Sequence, residues 1–322
     1  MTLPPEFDLI ARHFRPLAGP GALDLTDDAA VLVPPPGREL VLAADAMVAG
    51  VHFLPDDPPE TIGRKLLRTN LSDLAAMGAV PLGYLLTTAL PRGTGDAWLA
   101  AFAAGLQADQ AEFGVSLLGG DTVSTQSPVT LSLTILGHVA PGAALRRTGA
   151  APGQDIWVSG SIGDGALGLA VLQGELPADA EGHLAGRYRL PRPRLALGQA
   201  LIGLATAAMD VSDGLVQDLG HLCRAAGCGA ELLASAVPLS GPAAALVASR
   251  PALLPRLLTG GDDYELLFAA PTDAAATVAA RAEACGVDVT RIGHFVPGEA
   301  VVVVRDAKGA PLPLDRAGWS HF

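Results

Sequence analysis

The sequence predicts a mixed α/β protein built as two tandem α/β domains. Three observations carry this. The chain has 322 residues, enough for two separately cored domains. Short strand-like apolar runs and longer helix-like stripes follow one another along it. Between Ala140 and Gln154 the patterning gives way to Pro, Gly, Ala and Arg, which places a boundary there and divides 1–142 from 143–322. No repeat with a period of about 20–50 residues is visible, which argues against a solenoid or propeller.

Taken in order, Glu6 to Phe14 reads as a short helix and Arg15 to Asp24 as a Gly- and Pro-rich loop. Asp27 and Asp28 then lead into an apolar run, Ala29 to Val33, expected to be a strand that the prolines from Pro34 to Pro36 stop. A second strand, Glu39 to Ala44, is expected to end on Asp45, and after a loop carrying His52 a helix begins near Thr61. Gly83 to Leu90 reads as a strand, Asp96 to Phe113 as a helix, and Val115 to Leu118 as a short strand ending in Gly119-Gly120-Asp121. Val129 to Ile135 alternates Val, Leu, Leu, Ile with Thr, Ser, Thr, the pattern of a half-buried antiparallel strand. Beyond the boundary, strands are expected at Asp155 to Ser159, Ala207 to Asp210, Leu266 to Ala269, Val289 to Ile292 and Ala300 to Val304. Helices are expected at Gly163 to Gln173, at Arg194 to Leu204, after Gly214 with Leu215, Leu219, Leu222 and Ala226 inward, and in the stretch ending at Cys285.

Composition narrows the function. Half of the residues are apolar and 17% are charged, as in a compact globular protein. Thirty-three acidic against 21 basic residues give a formal charge of -12, which argues against sequence-independent binding to nucleic acid or to anionic membranes. An anionic substrate then has to be drawn in locally, by metal ions. The first residues lack a basic start and an apolar core, and the longest apolar stretch, around Ala79 to Leu90, is too short to span a bilayer, so a soluble, cytoplasmic protein is expected. Cys223, Cys228 and Cys285 are odd in number and form no Cys-x-x-Cys pair, the usage of buried free thiols.

Within the helix near Thr61, Ile62, Leu66, Asn70, Asp73 and Met77 fall on one stripe, so a carboxylate occupies a position suited to Leu. An unpaired buried carboxylate is costly, and the chain has only two lysines, Lys65 and Lys308. Arginines, an N-cap role or bound metal remain as compensation, and metal is the reading favoured here. Asp27, Asp28, Asp45, Asp121, Asp210 and Asp213 recur in the same way, at strand ends or beside glycine. Each has an ordinary alternative, since Ser212 and Asp213 suit a helix cap and Asp121 a turn. Together, hard oxygen donors with few His suit magnesium or calcium better than zinc. Gly163-Asp-Gly-Ala-Leu-Gly168 formally matches a dinucleotide fingerprint. The segment where a second strand and its acid belong is the basic, proline-broken Arg187 to Pro193, so helix packing explains these glycines better. There is no P-loop and no protein-kinase motif.

Several stretches together resemble the thiamine-monophosphate kinase family, within the superfamily of aminoimidazole ribonucleotide synthetase. They are Asp27-Asp28, Asp45 to Phe53, Asn70 to Gly78, Gly119 to Thr122, Asp210 to Leu215, Gly260 to Leu266 and Trp319 to Phe322, running nearly end to end. The resemblance implies ATP-dependent phosphorylation of thiamine monophosphate to thiamine diphosphate. It also implies a homodimer whose N-terminal domains share a β-barrel. By the same resemblance Asp28, Asp45, Asp73, Asp121, Asp210 and Asp213 hold several magnesium ions. Gly120, Asp121, Arg147 and Ser212 lie along ATP, while His52, Asp262 and Trp319 meet thiamine monophosphate. No catalytic side chain beyond the metal ligands is implied. Two departures stand out: Ala43 and Ala44 occupy positions where the family has Ser or Thr, leaving only a backbone carbonyl such as that of Ala44 as a ligand, and Asp262 replaces a longer Glu.

Overall fold

The computed structural model describes residues 5–320, so His321 and Phe322 of the terminal motif lie outside the described residues. The chain adopts the expected mixed α/β architecture in two compact units. The first comprises Met1–Leu74 and Ala79–Gly142, the second Ala75–Gly78 and Ala143–Phe322.

The N-terminal unit opens with α1 (Pro5–Leu9), which continues as a π-helical turn, Ile10–Phe14. Its framework is β1 (Glu39–Val48), α2 (Pro59–Ala76), β2 (Val80–Pro91), α3 (Asp96–Phe113), β3 (Leu117–Thr125) and β4 (Thr130–Val139). The sheet order is β1-β4-β2-β3, with β4 antiparallel to β1 and β2, and β3 parallel to β2. Burial along β4 alternates residue by residue, so the period-two pattern read from Val129 onward has its physical counterpart. Leu131, Leu133 and Ile135 point inward with Tyr84 and Leu86. On that face α2 packs against β4 near Gly137, where a side chain would collide with Leu74, and α3 reaches β2 through Gln110 Nε2 donating to Tyr84 OH at 3.0 Å. The two helices are clamped by Arg68, whose Nε and Nη2 donate to the fully buried Asp109 carboxylate at 2.7 and 2.9 Å.

Four local expectations change. Ala29 to Val33 is irregular rather than a strand, with Val31 and Val33 both well exposed and Val31 N–H donating to Gly21 O. An apolar run without a strand beside it has no ladder to join. β1 continues past Asp45 to Val48, so Asp45 lies inside the strand, opposite Leu133. β3 runs through Gly119-Gly120-Asp121 to Thr125 instead of stopping there, because the glycines let β2 approach: a Cβ on Gly120 would lie 1.7 Å from Leu86 O. Asp73 is half-buried, not interior, although Ile62, Leu66 and Asn70 of its stripe are buried, so the stripe does not mark the one inward face of α2.

The C-terminal unit contains β5 (Asp155–Ser159), α4 (Asp164–Leu172), α5 (His183–Arg189), α6 (Leu195–Ala200), β6 (Ala207–Asp210), α7 (Leu215–Ala226), β7 (Gly229–Leu233), α8 (Gly241–Ser249), α9 (Leu253–Thr259), β8 (Leu266–Ala270), α10 (Ala275–Ala284), β9 (Val289–Val296) and β10 (Val302–Arg305). Its sheet has the order β10-β7-β9-β5-β8-β6 and is antiparallel except for β10 with β7. Side-chain alternation splits the core. Ile156, Val158, Leu267 and Ala269 face α4, α7 and α9, while the stacked rings of Trp157 and Phe268 lie on the other side with Leu197, Leu201 and Val278. Among the described residues neither sheet closes into a barrel, and no helix is long and apolar enough to cross a membrane.

Candidate functional site

In the C-terminal unit β6 delivers Asp210 to the sheet end, and the next four residues wrap around one carboxylate. Asp218, in the first turn of α7, accepts N–H donors from Ser212 at 3.1 Å, Asp213 at 3.0 Å and Gly214 at 3.1 Å through Oδ2. Two of these amides belong to the loop that precedes the helix and the third to its N-cap, Gly214, so one side chain fixes the loop. Burial pushes the Asp218 carboxyl up to about 7, with Asp210 and Asp213 adding repulsion and the donated N–H bonds opposing it.

The Gly260 to Glu265 turn is zipped onto this loop. Asp262 N–H donates to Ser212 O at 2.9 Å, Tyr264 N–H to Val211 O at 2.8 Å, and Val211 N–H to Glu265 O at 2.8 Å. Asp262 and Tyr264 both have positive φ, 69° and 53°, a conformation held only where the surroundings impose it. The C-terminal tail joins the same loop, with Trp319 N–H donating to Asp213 O at 3.0 Å and Gln217 Nε2 bonding Trp319 O and Asp213 Oδ2. The Trp319 side is about half exposed, a large aromatic surface beside acids. Arg147 follows Arg146, whose carbonyl accepts from Ala208 N–H of β6, and its charge together with that of Arg224 helps burial hold His221 of α7 below the usual histidine range. Thus Arg147, Asp210, Ser212, Asp213, Asp262 and Trp319, far apart in sequence, gather at one end of one sheet.

The reverse side of the turn is anchored separately. Glu265 is fully buried and accepts from Ser159 Oγ at 2.6 Å, Arg187 Nη2 at 3.0 Å, and Arg194 Nε and Nη2 at 2.6 and 2.5 Å. Asp263 accepts the N–H groups of Gly163 and Gly165 at 2.7 and 3.0 Å, so a protein carboxylate already occupies the start of α4 where a dinucleotide phosphate would bind. Burial pushes Asp263 up to about 8 against those two donors. The glycines have a packing reason, since a Cβ on Gly165 would lie 2.4 Å from Asp262 O.

In the N-terminal unit a cavity of about 590 Å³ brings together Asp27, Asp28, Thr88, Gly120, Asp121 and Thr122. Asp121 is exposed, with its Oδ1 accepting Thr122 N–H at 2.8 Å. Asp45 lies elsewhere: β1 and β3 are the two edges of the sheet, roughly 14 Å apart at ordinary strand spacing. Its N–H donates to Asn70 Oδ1 at 3.2 Å, which explains why an amide sits on the buried face of α2. That bond turns the Asp45 backbone outward from the sheet, and antiparallel pairing then turns the neighbouring Ala44 backbone toward Thr134 of β4. His52 sits in the loop after β1; its Nδ1 accepts Val48 N–H at 3.0 Å and its carbonyl accepts from the buried Lys65 at 2.9 Å. The neutral His52 ring therefore carries its proton on Nε2.

Among the described residues no group of three or more His, Cys, Asp and Glu is placed to hold a metal ion alone. The oxygen-only donors in smaller groups, Asp28 with Asp121 at the cavity and Asp210 with Asp213 at the loop, fit magnesium, which takes one or two carboxylates and completes its shell with phosphate or water. Sequence reasoning did not assign an anchoring role to Asp218, Asp263, Glu265, Arg187 or Arg194. Only Asp218 carried a local signal, an acid one turn into a helix that can reach back to its first amides.

Two domain matches define the class. Residues 26–139 match AIR synthase related protein, N-terminal domain, and residues 151–306 match the corresponding C-terminal domain. Within that class the chain belongs to the thiamine-monophosphate kinase family. It is 47% identical over 323 residues to the thiamine-monophosphate kinase of Caulobacter vibrioides, covering 99% of this chain and 91% of that protein. Its structure matches that of the thiamine-monophosphate kinase from Stenotrophomonas maltophilia K279a with a TM-score of 0.80 and 40% identity, over 87% of this chain and 89% of that one. It also matches AaThiL complexed with AMPPCP and TMP, with a TM-score of 0.78 and 30% identity, over 92% and 91%.

Proposed function

We propose that the chain transfers the terminal phosphoryl group of ATP in line onto the phosphate of thiamine monophosphate, giving thiamine diphosphate and ADP. The observation that carries this reading is the gathering of Ser212, Asp213, Asp262 and Trp319 by direct backbone bonds, in a chain akin to proteins bearing that name. A relative described with AMPPCP and TMP supports both substrates.

The roles follow from chemistry. Gly120, Asp121, Arg147 and Ser212 contact ATP: Gly120 offers backbone without a side chain, Arg147 a guanidinium and Ser212 a hydroxyl. Asp262 offsets the cationic thiazolium, Trp319 stacks on an aromatic ring, and His52 donates from Nε2. No general base is required, because a phosphate monoester, with its second pKa near about 6, is already largely dianionic at neutral pH. Magnesium ions bound by Asp28, Asp45, Asp73, Asp121, Asp210 and Asp213 supply charge neutralisation for the two anions. The Ala44 carbonyl, committed toward β4, is the weakest of the proposed ligands.

The protein acts in the cytoplasm as a homodimer in which the two N-terminal sheets complete a barrel. Support comes from the sheet face opposite the helices, which leaves Leu40, Leu42, Leu85 and Val123 exposed on three of its four strands.

Single-turnover conversion of thiamine monophosphate with ATP and magnesium tests the assignment. Wild type is expected to form thiamine diphosphate, and Asp73→Asn and Asp210→Asn to lose at least about a hundredfold in rate while remaining folded. ATP hydrolysis without thiamine diphosphate would reject the acceptor.

A further inference from the structure

We propose that the C-terminal unit carries a second binding site, distinct from the loop cluster around Ser212 and selective for a phosphate-class oxyanion. The site is a cavity of about 580 Å³ whose polar walls include His183, Arg187, Arg192, Arg194, Ser161 and Ser240. Three guanidinium groups face it, with the carboxylates of Glu265 and Asp288 in the same wall. The nearby acid Asp164 is fully buried and already accepts from Ser161 Oγ at 2.6 Å, Ser240 Oγ at 2.5 Å and His183 Nε2 at 2.9 Å. Its hydrogen-bonding capacity is thus taken up by these groups, and it fixes the His183 ring at the wall.

Arg187 is the second, independent sign. Its relative exposure is 6%, and its Nη2 bonds Glu265 Oε1 and Asp263 O, yet its Nη1 is buried with no hydrogen-bond partner. An unmet buried donor on a charged group is costly and calls for an acceptor. Arg192, exposed at the rim, has no carboxylate partner among the described residues. A tetrahedral dianion suits such a wall, because guanidinium forks match its paired oxygens. The site is separate from the substrate loops because it lies on the reverse of the Gly260 to Glu265 turn: Asp262 bonds Ser212 on one side, while Glu265 and the Asp263 carbonyl meet Arg187 on the other.

The test titrates the full chain with inorganic phosphate by calorimetry, in EDTA so that no divalent ion recruits phosphate to the aspartates. Saturable binding is expected, weakened at least about tenfold by Arg192→Ala, partly restored by Arg192→Lys, and unchanged by Asp213→Asn. Arg192 is exposed, so its variants keep the fold, which circular dichroism checks. Absence of saturation up to about 10 mM phosphate overturns the proposal. So does binding that Arg192→Ala leaves intact, or binding that Asp213→Asn abolishes.

Discussion

Asp218 shows how one residue links stability to the site. Its three accepted N–H bonds hold the Ser212 to Gly214 loop, yet its charge sits beside Asp210 and Asp213. A carboxyl whose pKa is higher folded than unfolded binds its proton more tightly in the folded protein. Its contribution to stability is therefore full below about 3.8, its ordinary value, and is lost as pH rises through about 7. Asp263 acts in the same direction, with its loss centred near 8. Without metal, the melting temperature is expected to fall between pH 5.5 and 8.5. Asp218→Asn, which keeps an oxygen acceptor and removes the charge, should recover on the order of 1–3 kcal/mol of that loss, read by thermal melts in EDTA. An equal decline in the variant would show that Asp218 does not carry the effect. Asp218 left only a faint mark in the sequence, an acid one turn into a helix, and Asp263 none, because an anchoring role depends on which amides the fold turns toward the carboxylate. Asp210, Ser212 and Asp213 were legible, since a strand ending in an acid and followed by Ser-Asp-Gly is a local pattern.

Among elements, α3 shows why some boundaries can be read directly. Asp96 to Phe113 is bracketed by Gly95 in extended conformation and by Gly114 in a left-handed cap, so both ends are written locally. β7 is the converse: Gly229-Ala-Glu-Leu-Leu233 has helix-favouring residues and no period of two, and it becomes a strand because β9 and β10 pair with it on either side. The apolar residues from Ala29 to Val33 make the same point in reverse, a strand pattern left without a partner. Glycines sort in a similar way, by neighbours rather than by composition. Gly120→Ala is expected to destabilise by about 2 kcal/mol or more, because its Cβ would enter the β2–β3 contact, and to lower kcat/KM with it. Gly186→Ala in α5, where a Cβ meets nothing within 4 Å, should instead stabilise by roughly 0.5–1 kcal/mol. Urea denaturation of the pair separates steric collision from helix propensity.

At the scale of the whole molecule, the proposed homodimer assigns its interface to the exposed apolar face of the N-terminal sheet. Sedimentation of wild type is expected to give a dimer, and Leu42→Asp combined with Val123→Asp a folded monomer, since both side chains are exposed in the single chain. A dimer that survives both charges would place the interface elsewhere. A last consequence concerns the four residues Ala75–Gly78, which follow the body of α2 in sequence but belong to the C-terminal unit. Ala75 and Ala76 are part of the core around Leu197 and Leu201, a Cβ on Gly198 would lie 2.0 Å from Ala75 O, and Leu145 N–H donates to Met77 O at 3.1 Å. The two heritable segments that the family matches outline are therefore not interchangeable cassettes. A gene fusion that swaps the first half for a distant relative's also replaces a peg fitted to the second half, so recombinants joined near Gly142 should survive only when Ala75 to Gly78 travels with the half that receives it.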